Sequence, residues 1–511
     1  MGYLFLTGAT GLLGTYLLRD LSRAGTKLAV LVRPTRFAST RHRIETLLAR
    51  WERQAGYALP RPVVLEGDLS RPDLGLGTSG LQWVSRHCDA VMHNAASLTF
   101  HAESDDAEAE PWRSNIGGTT HVLEFCRSAG IRQFHHVSTA YVCGQRTDHV
   151  LESELDVGQT HGNDYESSKC QAEKLVRAAD FLDDPTFYRP GIIVGDFQNG
   201  FTTTYHGFYV PMKLVATTLS QAAGVATSRE ELAAAVKYGG ERLRSALNLT
   251  EKDGKYFVPV DWVSAAMTGV FTNPRLHGQT YHLTPRKPVS ILMVQKTIQQ
   301  IMFENTELST AEAHAQFDWD QFENYFVEGM EVYRSYWRND PTFDTTNIQR
   351  ALPDLLCPEL NEAFVRRLCQ FAIDSNFGWP KSPPVIPNRD VHEHLRSLIE
   401  TTGQTNHTGQ TGDSDDGMAF VGLRVTGPGG GEWELSLRNG RVTSAQPGIG
   451  SRCTATCHLN STTFDGLATR DLTAEQEIDS GRVLIEGNGV SLNDLTRALE
   501  SVALQNREQR H

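Results

Sequence analysis

The chain has 511 residues, of which 39 % are hydrophobic and 21 % charged, with a formal net charge of −13. That length exceeds one ordinary core and predicts about two to four domains; the composition fits a folded, soluble chain rather than a disordered one, and the negative balance lacks the basic footprint of a nucleic-acid binder. No run of about 18 apolar residues predicts a membrane-spanning helix, and eight scattered cysteines fit reduced thiols in the cytoplasm better than a disulfide framework.

The apolar start, Met1 to Leu6, has no basic flank and runs directly into a glycine motif, so it reads as a first strand rather than a signal peptide. Tyr3–Thr7, Lys27–Val32, Val63–Glu66, Ala90–His93, Gln133–Ser138 and Thr186–Tyr188 read as further short apolar runs, with amphipathic helical patterns between most of them. This rhythm predicts an α/β unit with a Rossmann-type, doubly wound parallel sheet covered by helices on both faces. Residues 200–380 are more irregular and helical, with aromatics such as Phe208, Tyr209, Tyr325 and Trp337, and read as a smaller substrate-covering portion of a unit spanning 1–385. Lys381 is the last lysine of the chain. Residues 386–416 read as a helix and a flexible linker, because the stretch GQTNHTGQTGDSDDGM at 402–417 has almost nothing to bury. The segments Phe420–Val425, Glu432–Leu437, Arg441–Ala445, Cys453–Leu459 and Arg482–Glu486, with two helical stretches, predict an α+β domain over 417–506.

The first strand leads into Thr7-Gly8-Ala9-Thr10-Gly11-Leu12-Leu13-Gly14. Gly8 permits a tight turn, Gly11 lets the backbone approach a pyrophosphate, and Gly14 allows close packing of helix on strand. Thr7, Thr10, Leu12 and Leu13 complete this candidate phosphate loop at a helix N-terminus. The second strand ends at Val32-Arg33, where an NAD-selective site usually has an acidic residue. Arg33, with Arg36 as a second candidate, can instead pair with a 2′-phosphate, which points to NADP over NAD. Asp68 and Leu69 close the third strand beside the expected adenine, and the small residues of Asn94-Ala95-Ala96 let a loop approach the cofactor.

Tyr165-Glu166-Ser167-Ser168-Lys169 puts a phenol and an ammonium one helical turn apart. A nearby ammonium stabilises a phenolate and so lowers the tyrosine pKa toward the range of a general acid. Ser138-Thr139 closes the preceding strand and can hydrogen-bond a substrate oxygen.

Taken together, TGATGLLG at Thr7–Gly14, LVRP at Leu31–Pro34, GDLSRPDLGL at Gly67–Leu76, HNAASLTF at His93–Phe100, SNIGGT at Ser114–Thr119, HVSTAYVCG at His136–Gly144, YESSK at Tyr165–Lys169 and YRPGIIVGD at Tyr188–Asp196 resemble the extended short-chain dehydrogenase/reductases. Within these, residues 1 to about 380 are similar to thioester reductases and fatty acyl-CoA reductases. The resemblance implies a catalytic triad of Thr139, Tyr165 and Lys169, with Asn115 shaping the site and Arg189, Pro190, Gly191 and Ile192 along the cofactor. It implies reduction by NADPH of an acyl thioester, carried on coenzyme A or a carrier protein, to aldehyde or alcohol. Residues 200–380 match no single subfamily. Residues 417–506 resemble sterol-carrier-protein-2-like domains through GGEWELSLRNGRV at Gly430–Val442 and GRVLIEGN at Gly481–Asn488, which implies a hydrophobic ligand in that domain. The same triad also serves a sterol or hydroxy-lipid dehydrogenase or a sugar-nucleotide enzyme, and a non-catalytic, NADPH-sensing lipid binder is a third reading. No metal site is expected: Cys453, Cys457 and His458 fall on a predicted strand without a second ligand pair, and His392-Glu393-His394 lacks zincin spacing.

Overall fold

The computed structural model describes residues 2–99, 106, 108–223, 226, 228–246, 250–307, 320, 324, 328, 339–405, 418–488 and 490–503. Phe100, Tyr325, Trp337 and segment 406–417 of the expected linker lie outside the described residues, as do 504–506.

The first unit is built on strands β1 (Tyr3–Thr7), β2 (Leu28–Val32), β3 (Val63–Glu66), β4 (Cys88–His93), β5 (Gln133–Val137), β6 (Thr186–Pro190) and β7 (Thr280–Leu283), in the order β7-β6-β5-β4-β1-β2-β3. All are parallel; Leu4 pairs with Leu28 on one side of β1 and Thr7 with His93 on the other. β1 and β2 are buried at every position, which is why they read as unbroken apolar runs rather than alternating ones. Helices α1 (Leu12–Arg23), α2 (Thr40–Ala55), α3 (Gly77–His87), α4 (Gly118–Ala129) and α5 (Asp164–Arg177) connect the strands. α1 places Leu13, Leu17, Leu18 and Leu21 in the core that covers one face of the sheet, while Phe125 and Phe134 belong to the core of the other.

The six expected strands are present, with ends moved by up to two residues. The seventh, β7, lies inside the region expected to be more irregular and helical; its sequence TYHL alternates over only four positions, and pairing with β6 decides its state. The rest of that region contributes α6 (Tyr209–Ala223), α7 (Arg229–Ala246), α8 (Val260–Phe271), α9 (Ile291–Glu304) and α10 (Glu362–Asp374). α6, α7, α9 and α10 pack together as a helical layer beside the ends of the strands.

Helix α11 (Val391–Thr405) takes in residues 402–405, the start of the expected linker. The second unit then forms as an α+β module. Strands β8 (Met418–Thr426), β9 (Gly431–Arg438), β10 (Arg441–Pro447), β11 (Ala455–Asn460) and β12 (Leu484–Gly487) run in the order β10-β9-β8-β11-β12, with β8 and β11 parallel and the other pairs antiparallel. Helices α12 (Ser461–Thr469) and α13 (Leu492–Ala503) pack with α11 on this sheet, around Trp433, Leu435, Phe464 and Leu499.

The second unit docks on the starting ends of the central strands and along α2. The Tyr3 phenol donates to the Glu432 carboxylate and accepts from the Ile449 N–H at 2.9 Å, and the Trp83 indole donates to the Pro447 carbonyl. On α2, Arg41 pairs with Asp390 at 2.7 Å, and Glu45 accepts from the Gly429 N–H at 3.1 Å while holding Arg61 in a buried ion pair. None of the described helices is long and apolar enough to cross a membrane.

Candidate active site

A cleft of about 780 Å³ opens at the far ends of the parallel strands, between them and the α6–α7–α9 layer. Its nucleotide side follows from three glycines. Gly8 has φ +71°, and a Cβ there would lie 2.7 Å from the Ala95 nitrogen; a Cβ on Gly14 would lie 1.9 Å from the Gly8 carbonyl oxygen. Only a hydrogen fits at either position. Gly11 begins α1 with no side-chain cap, so the first N–H groups of the helix remain available to an anion at the cleft wall. Gly8, Thr10, Gly11, Leu12, Leu13, Asp68, Leu69, Asn94, Ala95 and Ala96 all line the cleft. Thr7 stands behind it: its hydroxyl accepts from the Asn94 and Ala95 N–H groups, each at 3.2 Å, tying β1 to the loop after β4.

The arginines divide. Arg33 lines the cleft and sits 3.6 Å from Asp68, whereas Arg36 lies over the exposed Phe37 ring and is not among the lining residues. Arg43, on the first turns of α2, takes the place expected of Arg36. It lines the cleft, donates to the Thr10 hydroxyl at 2.9 Å and to the Arg33 carbonyl, and its pKa is lowered by burial and by the Arg33 charge. Two guanidiniums held together beside the phosphate loop suit a doubly charged anion. Sequence reading missed Arg43 because α2 carries several arginines and no spacing marks one of them.

Thr139, Tyr165 and Lys169 meet on the opposite wall. Asn163 caps α5 by accepting from the Glu166 N–H, and the Glu166 carboxylate accepts from Gly162 in return, which fixes where the helix begins. The Thr139 hydroxyl hydrogen-bonds Tyr165, and Lys169 Nζ donates to the Val137 carbonyl at 2.6 Å. Burial raises the Tyr165 phenol to about 12, against the Thr139 hydrogen bond; burial also lowers Lys169 to about 8, against the pull of Glu173. The expected lowering of the tyrosine by its lysine is therefore not what this site shows: desolvation sets the direction, and the phenol keeps its proton.

Asn115 is buried behind the cleft. Its amide accepts from the Ser97 N–H at 2.8 Å and donates to the Ser168 hydroxyl at 3.0 Å, bridging the loop after β4 to α5. Pro190, Gly191 and Ile192 line the cleft, but Arg189 does not. Side chains alternate along β6, and Arg189 points to the other side, into a fully buried ion pair with Glu173 at 2.6 Å. Its expected place along the cofactor is corrected accordingly. Burial would raise the Glu173 carboxyl, but Arg189 and Arg177 hold it at about 2.

The remaining wall is the part sequence reading left blank. Phe208, Val215, Leu243, Phe257, Val294 and Ile298 give it an apolar surface, and Lys255, Gln295 and Gln299 interrupt it. Lys255 is paired with Asp340 at 2.6 Å. The glycine loop and Thr139, Tyr165 and Lys169 thus face this mostly apolar wall across one cleft.

A family model described as male sterility protein, an NAD-binding domain, matches residues 6–267. An aldehyde reductase of Aspergillus flavus, lnaA, is 25 % identical over 415 residues, covering 72 % of this chain and 36 % of its own. The chain spans about a third of the length of the first curated relatives it matches. Two solved structures share the fold. The terminal R domain of the myxalamid PKS–NRPS pathway has TM-score 0.56 and 23 % identity, covering 75 % of this chain and 93 % of the domain. A thiolation–reductase di-domain from an archaeal non-ribosomal peptide synthetase has TM-score 0.53 and 17 % identity, covering 74 % and 76 %.

Proposed function

We propose that this chain, which belongs to the NAD-binding male sterility protein family, uses NADPH to reduce an acyl thioester to an aldehyde or alcohol. The observation that carries this reading is the single cleft in which the glycine turn and Thr139, Tyr165 and Lys169 face an apolar wall. The thiolation–reductase relative supports a carrier-protein thioester as donor; a coenzyme A thioester rests on the sequence resemblance alone. The preference for NADP rests on Arg33 and Arg43 and on the lack of an acidic residue at the end of β2. The second unit is read, on its sequence resemblance alone, as the holder of a hydrophobic ligand.

The glycine turn and α1 would hold the pyrophosphate, Arg33 and Arg43 the 2′-phosphate, and Lys169 the nicotinamide ribose. The bound dinucleotide supplies a hydride to the thioester carbonyl carbon. Thr139 and Tyr165 hold the carbonyl oxygen between them, and Tyr165 gives that oxygen its proton as the C–H bond forms. The resulting hemithioacetal loses its C–S bond and its hydroxyl proton, leaving an aldehyde and a free thiol. A second hydride and proton would convert the aldehyde to the alcohol.

The test is NADPH oxidation with a panel of acyl thioesters and a panel of ketosteroids, with thiol release and product mass followed in parallel. Thiol release matched to NADPH oxidation is the expected result. Oxidation with ketones alone would overturn thioester reduction and move the chain to the hydroxy-lipid dehydrogenases.

A further inference from the structure

The Asp340 side chain is only 5 % exposed, and its carboxylate collects donors from two distant parts of the chain. Oδ1 accepts from Lys255 Nζ at 2.6 Å; Oδ2 accepts from the Tyr141 phenol at 2.7 Å and from the Tyr256 N–H at 3.2 Å. A buried carboxylate is tolerated when a cation and further donors satisfy it in this way. Its own segment is anchored close by: Thr342–Phe343 pairs in parallel with His149–Val150, and the Phe343 ring meets the Tyr256 ring edge-on, with centroids 5.0 Å apart. Tyr141 and Lys255 line the cleft, whereas Asp340 stands behind them.

Two routes lead from that carboxylate to Thr139. Held by its phenol, Tyr141 directs its backbone N–H at the Thr139 hydroxyl, at 3.2 Å. Held by its N–H, Tyr256 offers its carbonyl to the Ile192 N–H at 2.8 Å. That bond fixes the end of β6, where the Pro190 carbonyl accepts from the Thr139 hydroxyl at 3.4 Å. A hydroxyl has one proton and two lone pairs. The Tyr141 N–H occupies a lone pair and so turns the proton, while the long bond to Pro190 holds that proton weakly enough to be exchanged for one to a ligand oxygen.

We infer that Asp340 is a positioning residue: from behind the cleft wall it holds Tyr141 and Tyr256, and through them it aims the Thr139 hydroxyl. Lys255 supplies the counter-charge that keeps the carboxylate in place. The inference rests on the role proposed for Thr139 in the reduction and adds the group that orients it.

The test is a double-mutant cycle in the full chain with NADPH, on whichever thioester or ketone the panel shows to turn over. Asp340→Asn keeps the size of the side chain and turns an acceptor into a donor. Tyr141→Phe removes one donor and leaves the pair with Lys255 intact, so it carries the test should Asp340→Asn fail to fold. Each should lower kcat about 10–100-fold, with KM and the Kd for NADPH within about twofold of wild type. In a Thr139→Ala background the same changes should cost less than about twofold, because the group they aim is gone. Full losses in both backgrounds, a loss confined to KM, or wild-type kcat in both variants overturns the inference. Amide hydrogen exchange gives a readout that needs no turnover. Both variants should lose protection at residues 139–144, and β1 and β2 should keep theirs. Unchanged protection at 139–144 overturns the inference whatever the kinetics. Lost protection there in a chain whose wild type reduces no thioester refutes thioester reduction and leaves the hold of Asp340 on Thr139 standing.

Discussion

In the first unit seven parallel strands end along one edge, and the loops leaving them form an open cleft; in the second, five strands and their helices pack around an apolar core. The first unit keeps its reactive groups at loop and helix starts, where backbone N–H groups are unpaired and a side chain can be buried yet face a ligand. The second presents to the first mainly backbone carbonyls, backbone N–H groups and carboxylates, and these make contacts between units. The difference teaches that substitutions in this chain should separate cleanly, with chemistry lost at one end of the parallel strands and cohesion lost at the other.

The sharpest test of that separation is Tyr165→Phe, which removes only the hydroxyl proposed as the proton donor. Turnover should fall about 10²–10⁴-fold, with NADPH affinity and melting temperature unchanged; kinetics, titration and calorimetry on one sample would report all three. Glu173→Gln strikes midway between the ends of the strands, leaving the Arg189 charge buried without its partner. Denaturant unfolding should show a loss of about 3–5 kcal/mol, and a loss near zero would mean that water reaches the pair. Arg43→Ala should weaken NADPH binding by about 1.5–3 kcal/mol while NADH binding barely moves; equal losses for both would remove Arg43 from the 2′-phosphate. Tyr3→Phe should cost about 1–3 kcal/mol of stability and leave kcat/KM as it was, which is the converse of Tyr165→Phe.

The smallest expected effect is on pH dependence. Burial brings Lys169 down to about 8 and pushes Tyr165 up to about 12. As pH rises through 8 the ammonium is lost while the phenol stays protonated. Because kcat/KM reports the free enzyme, it should fall about tenfold per unit above pH 8 and stay flat below it down to the next titration. Glu152 gives the matching effect on stability. Burial raises its carboxyl to about 7, although the Asn347 and His282 N–H groups oppose this. Between its ordinary value and 7 the folded chain holds a proton that the unfolded chain has lost, so stability should decline as pH rises through that window, and Glu152→Gln should flatten the decline.

The nucleotide half of the cleft was legible in sequence because its residues are constrained by backbone geometry. Gly8 and Gly14 cannot be other residues without a clash, and buried parallel strands leave apolar runs that stand out. Tyr165 and Lys169 were legible for a similar reason, since one helical turn fixes their spacing. Arg189 was misplaced because a motif names residues without saying which face of a strand they take; the two-residue alternation that sends Pro190 to the cleft sends Arg189 away from it. Arg43 and the pair Gln295 and Gln299 were not legible at all. Each depends on contacts between segments far apart in sequence, and none has a local period or spacing to mark it.

The contact between Tyr3 and Glu432 joins residues 429 positions apart. During synthesis the central strand therefore waits for its cover until the rest of the first unit and the first strands of the second have left the ribosome. The entropy of closing so long a loop grows only logarithmically with its length, so the delay costs little free energy at equilibrium. Its cost falls on timing: until the second unit arrives, the starting end of the innermost strand and the Trp83 ring beside it stay open to solvent and to other chains.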